Sequence, residues 1–142
     1  MTIGAILQSR KQDIISISAQ ASVTDAVALL AEKRIGALPV MAAGRVVGIF
    51  SERDVIYSLA QFGPQAAGLR VEEVMTSPPV TVAADCPVLT ALSLMTRRRI
   101  RHLPVVDQDM LLGFVSIGDL VKYRIERIES EATALRDYIQ TA

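Results

Sequence analysis

Apolar positions along this chain switch between two periods, and the switch occurs twice in the same order. Residues 14–17 and 80–82 carry β-branched side chains (Ile14, Ile15 and Ile17; Val80 and Val82) suited to strands. Ser22 and Pro87 then open stretches whose apolar residues recur at helical spacing, with Val23, Val27 and Leu30 making one buried face in the first. Residues 37–41 and 45–50 predict two strands joined in a hairpin around Ala43-Gly44, and Ser51 starts a second helix. The predicted order is β-α-β-β-α, repeated over residues 80–123, and short apolar lead-in segments at 3–7 and 71–75 precede the two units. Gly63-Pro64 breaks the helix that closes the first unit. The chain therefore divides into unit one (1–62), a linker (63–69), unit two (70–124) and a tail (125–142). In the tail Ile125, Ile128, Ala132, Leu135 and Ile139 recur at spacings of three and four, as on an amphipathic helix.

The two units are copies. Sliding the sequence on itself by 65 positions lays Ile35-Gly36-Ala37-Leu38-Pro39-Val40 on Ile100-Arg101-His102-Leu103-Pro104-Val105 without a gap. In the same register Gly48-Ile49-Phe50-Ser51-Glu52-Arg53-Asp54 falls on Gly113-Phe114-Val115-Ser116-Ile117-Gly118-Asp119, with Gly, Ser and Asp identical. Two units are too few for a solenoid, so the expected fold class is α/β (α+β), a pseudo-twofold pair of β-α-β-β-α repeats followed by a C-terminal helix.

Composition narrows the function classes. With 142 residues, 51% of them hydrophobic but only 4% aromatic, the chain is an aliphatic-rich globule and not a disordered segment. Lys+Arg 15 balance Asp+Glu 15, so no overall field draws DNA or an anionic membrane surface. No stretch reaches the roughly 18 apolar residues of a membrane span, and a soluble cytoplasmic protein is expected. Cys86 is the only cysteine, which excludes an internal disulfide or a Cys-based metal cluster; beside Pro87 it reads as a small apolar residue.

The h-G-x-L-P-V strand, the G-h-h-S-x-x-D turn and their duplication in register resemble the CBS (cystathionine β-synthase) domain pair, over nearly all of residues 2–124. The resemblance implies a regulatory module without catalytic machinery. Such a module binds an adenine nucleotide (AMP, ADP or ATP, with NAD(H) and S-adenosylmethionine also taken by family members) in clefts between the repeats, and signals to an effector protein in trans.

Two readings of Ser51-x-x-Asp54 and Ser116-x-x-Asp119 stay open. As a capping box, Ser accepts from an early helix amide and Asp returns the bond, a structural device worth about 1 kcal/mol. As a ligand site, the unpaired amides and positive dipole end of the helix favour a phosphate beside the Ser hydroxyl, while the carboxylate accepts from a ribose cis-diol. Gly48 and Gly113 would then leave room for the ligand. The resemblance implies that each site is completed by the other repeat. One site would join Ser51 and Asp54 to Thr81, Val82, Ile100, Arg101, His102 and Pro104; the other would join Ser116 and Asp119 to Ile15, Ser16, Ile35, Ala37 and Pro39. Because Arg101-His102 stand where unit one has Gly36-Ala37, the first site is expected to favour more phosphate charge.

Arg53 is either a phosphate ligand or an exposed first-turn arginine, and the run Arg97-Arg98-Arg99 suits a solvated helix end, where cations complement the dipole. His102, the only histidine, would need a strained nucleophile turn and oxyanion donors to form an acyl-transfer site, and S-x-x-D at a helix start supplies neither. Methionines 75, 95 and 110 are expected in the core. The apolar stripe of the tail must be buried, either on the chain's own repeats or in a homodimer; the resemblance favours the homodimer. The rival to a nucleotide sensor is a structural dimerisation module whose S-x-x-D motifs are only caps.

Overall fold

The computed structural model describes residues 1–10 and 13–141; Lys11, Gln12 and Ala142, the expected end of the tail helix, lie outside the described residues. Each repeat begins its packing with a helix. The Ser22 hydroxyl accepts the Asp25 amide at 3.0 Å and starts α2 (Val23–Lys33), which buries Val23, Ala26 and Leu30. Ala26 takes the place on the buried face expected of Val27, which is 38% exposed. Its counterpart α5 (Val88–Arg98) follows Pro87 and buries Val88, Ala91 and Met95. Both helices end on an arginine in the left-handed region, Arg34 and Arg99 (each φ 54°).

Antiparallel hairpins follow: β2 (Ala37–Ala42) with β3 (Arg45–Ser51), and β4 (His102–Asp107) with β5 (Met110–Ser116). Their two-residue turns, Ala43-Gly44 and Gln108-Asp109, carry positive φ at both positions, the geometry whose twist matches the flanking strands. The hairpins lead into α3 (Glu52–Phe62) and α6 (Ile117–Thr141). The expected leading strands are much shorter than predicted. β1 is only Ile17–Ser18, parallel to β2, because residues 13–15 diverge to wall a cleft. Over residues 80–82 a single parallel bridge, Val82 with Val105, survives after Pro78-Pro79, which offer no amide donors.

The lead-in segments form helices, but each packs on the other repeat. The core of Leu38, Val40, Phe50, Val23, Ala26 and Leu30 is closed by Val71 of α4 (Val71–Val74). The core of Leu103, Val105, Val115, Leu120, Val88 and Met95 is closed by Ile3 and Ile6 of α1 (Ile3–Ser9). Backbone bonds fix the exchange, Ile3 N–H to the Cys86 carbonyl at 2.9 Å and Val71 N–H to the Ala21 carbonyl at 2.8 Å. The connection between repeats is a 3-10 turn, Gly63–Gly68, anchored by buried Ala66. Met75 and Met95 pack in the cores as expected, whereas Met110 sits exposed at the start of β5, beside the tight turn. The tail is not a separate helix: α6 runs unbroken from the S-x-x-D motif of unit two to Thr141.

Candidate functional site

A cleft of about 420 Å³ opens between the repeats, within the usual range of small-molecule sites. Unit one supplies Ile15, Ile35, Gly36 and Ala37 to its wall, and unit two supplies Phe114, Ser116 and Asp119. Two arginines line it as well, Arg10 from the end of α1 and Arg34 from the left-handed cap of α2.

Ser116 and Asp119 close a reciprocal capping box at the start of α6. The Ser116 amide donates to Asp119 Oδ2 at 2.8 Å and the Asp119 amide donates to Ser116 Oγ at 3.1 Å. Arg10 reaches the same carboxylate at 2.8 Å and also donates to the Phe114 carbonyl at 3.1 Å, with the two side chains still 26% and 32% exposed. Burial alone would raise the Asp119 pKa. The Ser116 amide, the Arg10 guanidinium and the Ser116 hydroxyl outweigh it and hold the carboxyl below the ordinary aspartate value. Asp119 is therefore an ionised acceptor at neutral pH, facing an open cleft.

The other motif is built differently. Asp54 is 6% exposed, and both carboxylate oxygens are engaged. Oδ2 accepts from the Ser51 amide at 2.9 Å and the Ser51 hydroxyl at 3.2 Å, while Oδ1 accepts from the Thr76 hydroxyl at 2.9 Å. Thr76 is itself laced to β3 by two backbone bonds with Ile49, at 2.9 and 3.0 Å. The glycines ahead of the motifs are pressed on by the chain itself, and Gly113 also lines the cleft. A Cβ on Gly48 would lie 2.5 Å from Met75 Sδ and 2.9 Å from the Thr76 carbonyl, and one on Gly113 would lie 2.6 Å from Leu7. Both glycines make room for the chain's own lead-in helices.

Of the residues expected beside Ser116 and Asp119, the structure brings Ile15, Ile35 and Ala37 to the cleft; Ser16 is exposed and is not part of its wall. Pro39 and Pro104 are fully buried within their hairpins. His102, expected beside Ser51, lines the Asp119 cleft instead. The β4–β5 register sets it opposite Ser116 and diagonal to Phe114, and the two rings stack at 5.5 Å with an 11° tilt. Burial lowers the His102 pKa, Asp119 and Glu52 pull it upward, and Arg101 adds to the lowering.

On the Ser51 side, Val82 is buried in its bridge to Val105, and Ile100 and Thr81 are half-buried. Arg101 is exposed, its carbonyl accepting the Ile117 amide at 2.7 Å. Arg53 is exposed and donates to the Arg99 carbonyl at 3.4 Å, as a first-turn arginine joining the two repeats. Sequence reasoning missed Arg10 and Arg34. Arg34 had a signal, since the 65-residue register lays it on Arg99; Arg10 falls on Met75 and had none.

The sequence profile of the CBS domain matches the chain twice, over residues 4–61 and 71–126. The CBS domain-containing protein CBSX3, mitochondrial, of Arabidopsis thaliana is 36% identical over 124 residues; the match covers 84% of this chain and 60% of that protein, so the chain spans less than two thirds of its relative. Among solved structures, the CBS domain protein PAE2072 from Pyrobaculum aerophilum, complexed with AMP, matches with a TM-score of 0.74 at 28% identity, over 84% of this chain and 89% of that one. The CBS domain pair of protein MJ0100, in complex with 5'-methylthioadenosine and S-adenosyl-L-methionine, matches with a TM-score of 0.78 at 26% identity, over 89% of this chain and 98% of that one.

Proposed function

This chain belongs to the CBS-domain family, and on that premise we propose that it is a regulatory module whose Asp119 cleft binds an adenosine ligand, with the Asp54 motif serving as a structural cap. The observation that carries the reading is the content of that one cleft. A capped helix start with a serine hydroxyl, an ionised carboxylate, the Arg10 guanidinium, Arg34 and the apolar walls of Ile15 and Ile35 meet there. Asp119 suits the ribose hydroxyls, Ser116 and the arginines suit phosphate, and Ile15 and Ile35 suit the base. The ligands named for PAE2072 and MJ0100 share an adenosine and differ in what it carries, which supports adenosine as the recognised part. Arg10 must release Asp119 for the ribose to enter, and its move toward a phosphate links occupancy to α1. Since α1 belongs to unit one and packs on unit two, that link gives a ligand purchase on the arrangement of the repeats, which an effector protein in trans reads. A binding role without catalysis is supported by the Ser116 hydroxyl, which caps a helix, and by the one histidine, which stacks on Phe114.

The rival reading, a structural module without ligand, draws support from the closed Asp54 side. Thermal unfolding against AMP, ADP, ATP, NAD(H) and S-adenosylmethionine separates the two. A ligand at 100 times its Kd stabilises by about 2.7 kcal/mol, a rise of roughly 5–15 °C for a chain of this size. The proposal expects such a rise, cut to about half or less by Asp119→Ala and kept in Asp54→Ala. No rise with any of the five ligands would leave the structural module standing.

A further inference from the structure

From Ile125 to Thr141 every described residue is exposed, so α6 leaves the second core after Leu120 and Tyr123 and projects for about 25 Å. An isolated helix of that length is marginal in water. This one carries an unpartnered apolar stripe as well: Ile125 is 51% exposed, Ile128 49%, Leu135 60% and Ile139 65%. With Val121, 42% exposed, and Ala132 these residues stand at 121, 125, 128, 132, 135 and 139, alternating steps of four and three. That is a heptad seam with Ile125, Ala132 and Ile139 at a and Val121, Ile128 and Leu135 at d. We infer that this stretch of α6 pairs with the same stretch of a second copy of the chain as a parallel two-stranded coiled coil. The inference does not rest on the cleft taking a nucleotide.

The charges beside the seam select both the occupant and the orientation. The e positions are Lys122, Glu129 and Arg136, and the g positions are Arg124, Glu131 and Tyr138. In a parallel pair each g residue meets the e residue five places on in the partner, so Arg124 faces Glu129 and Glu131 faces Arg136, each twice by symmetry. Glu131 is already steadied by Arg127 of its own chain at 3.1 Å. An antiparallel pair that keeps all six layers sets Glu129 on its own copy, Glu131 on its own copy and Lys122 on Arg136, all like charges. Sliding the antiparallel pair to relieve them strips layers from the seam. The helix is complementary to itself in one direction only.

The test is the solution mass of the full chain beside Ile128→Asp/Leu135→Asp and Cys86→Ala/Ile139→Cys variants. Expected are a mass twice that of one chain, halved by the paired aspartates while the unfolding transition of the two repeats is kept. In the cysteine variant, rapid disulfide linkage between copies is expected through position 139. In an antiparallel pair the two 139 positions would lie about 27 Å apart, and only a Val121→Cys/Ile139→Cys chain would link between copies. A monomeric native chain, a dimer indifferent to the aspartates, or linkage only from 121 to 139 overturns the inference. Should the aspartate variant fail to fold, linkage at 139 alone decides.

Discussion

The two S-x-x-D sites have the same motif and opposite states, and three extra residues in a helix account for much of the difference. α4 ends at Val74, so after Met75 covers Gly48 the main chain of Thr76 turns onto β3, pairs with Ile49 and places its hydroxyl on Asp54. α1 continues past Leu7, which covers Gly113 as Met75 covers Gly48, and runs to Ser9. There the side chain of Arg10 does what the main chain and hydroxyl of Thr76 do in the other unit: it satisfies the carbonyl of Phe114, the counterpart of Ile49, and the carboxylate of Asp119. A backbone zip closes one site. A flexible side chain, which can swing away at little cost, closes the other.

The contrast can be broken most sharply at the aspartates. Asp119→Ala should weaken adenosine-ligand affinity by roughly 10- to 100-fold in calorimetric titration, the loss of a charged hydrogen-bond acceptor, and cost only about 1 kcal/mol of stability, the worth of its capping box. Asp54→Ala should do the reverse, leaving affinity alone and costing about 2–3 kcal/mol in urea unfolding, because the Ser51 amide and Thr76 hydroxyl lose a buried acceptor. Equal effects on binding would mean that both sites are functional. Next in size, Thr76→Val should cost about 1 kcal/mol in the same assay; if it also creates a second binding event, the Thr76 bond is what closes the Asp54 side.

Arg10→Ala should change stability at neutral pH by less than about 1 kcal/mol, since the pair is partly exposed. Its signature lies in acid. Asp119 titrates below its unfolded value, so its contribution is complete above the ordinary carboxylate range and is lost as pH falls through the lowered folded value. Removing Arg10 should raise the Asp119 pKa, read by NMR of the side-chain carboxyl, and narrow that acid-sensitive window. The smallest effect belongs to His102. Its pKa is lowered in the fold, so the folded chain holds fewer protons and stability should rise with pH through the ordinary imidazole value of about 6.5. His102→Gln should flatten that slope in pH-dependent unfolding, and an unchanged slope would put its origin elsewhere.

Most elements and much of the lining of one cleft were legible in the chain itself. Helix starts at Ser22 and Ser51, the hairpin turn at Ala43-Gly44 and the 65-residue copy all rest on local chemistry, and they stand where the residues put them. Ile15, Ile35, Ala37, Ser116 and Asp119 do share a cleft. The first leading strand was over-read because Ile14 and Ile15 fit a cleft wall as well as a ladder, and the second because Pro78-Pro79 offer no amide donors. His102 was assigned to the wrong side because symmetry was applied to a side chain whose direction the strand register decides. Arg10 carried no signal because its role depends on where a helix from one repeat ends against the other.

The sequence by itself determined that there are two copies of one β-α-β-β-α unit, where their elements begin, and which serines and aspartates sit at helix starts, since periodicity, turn chemistry and capping act over a few neighbouring residues. Only the tertiary structure decided that the lead-in helices exchange cores, that Asp54 is closed by Thr76 while Asp119 is shared with Arg10, and that α6 leaves the body with its apolar seam uncovered. Those outcomes depend on contacts between residues tens of positions apart, and a three-residue difference in helix length is enough to set the Thr76 hydroxyl on one aspartate and the Arg10 side chain on the other.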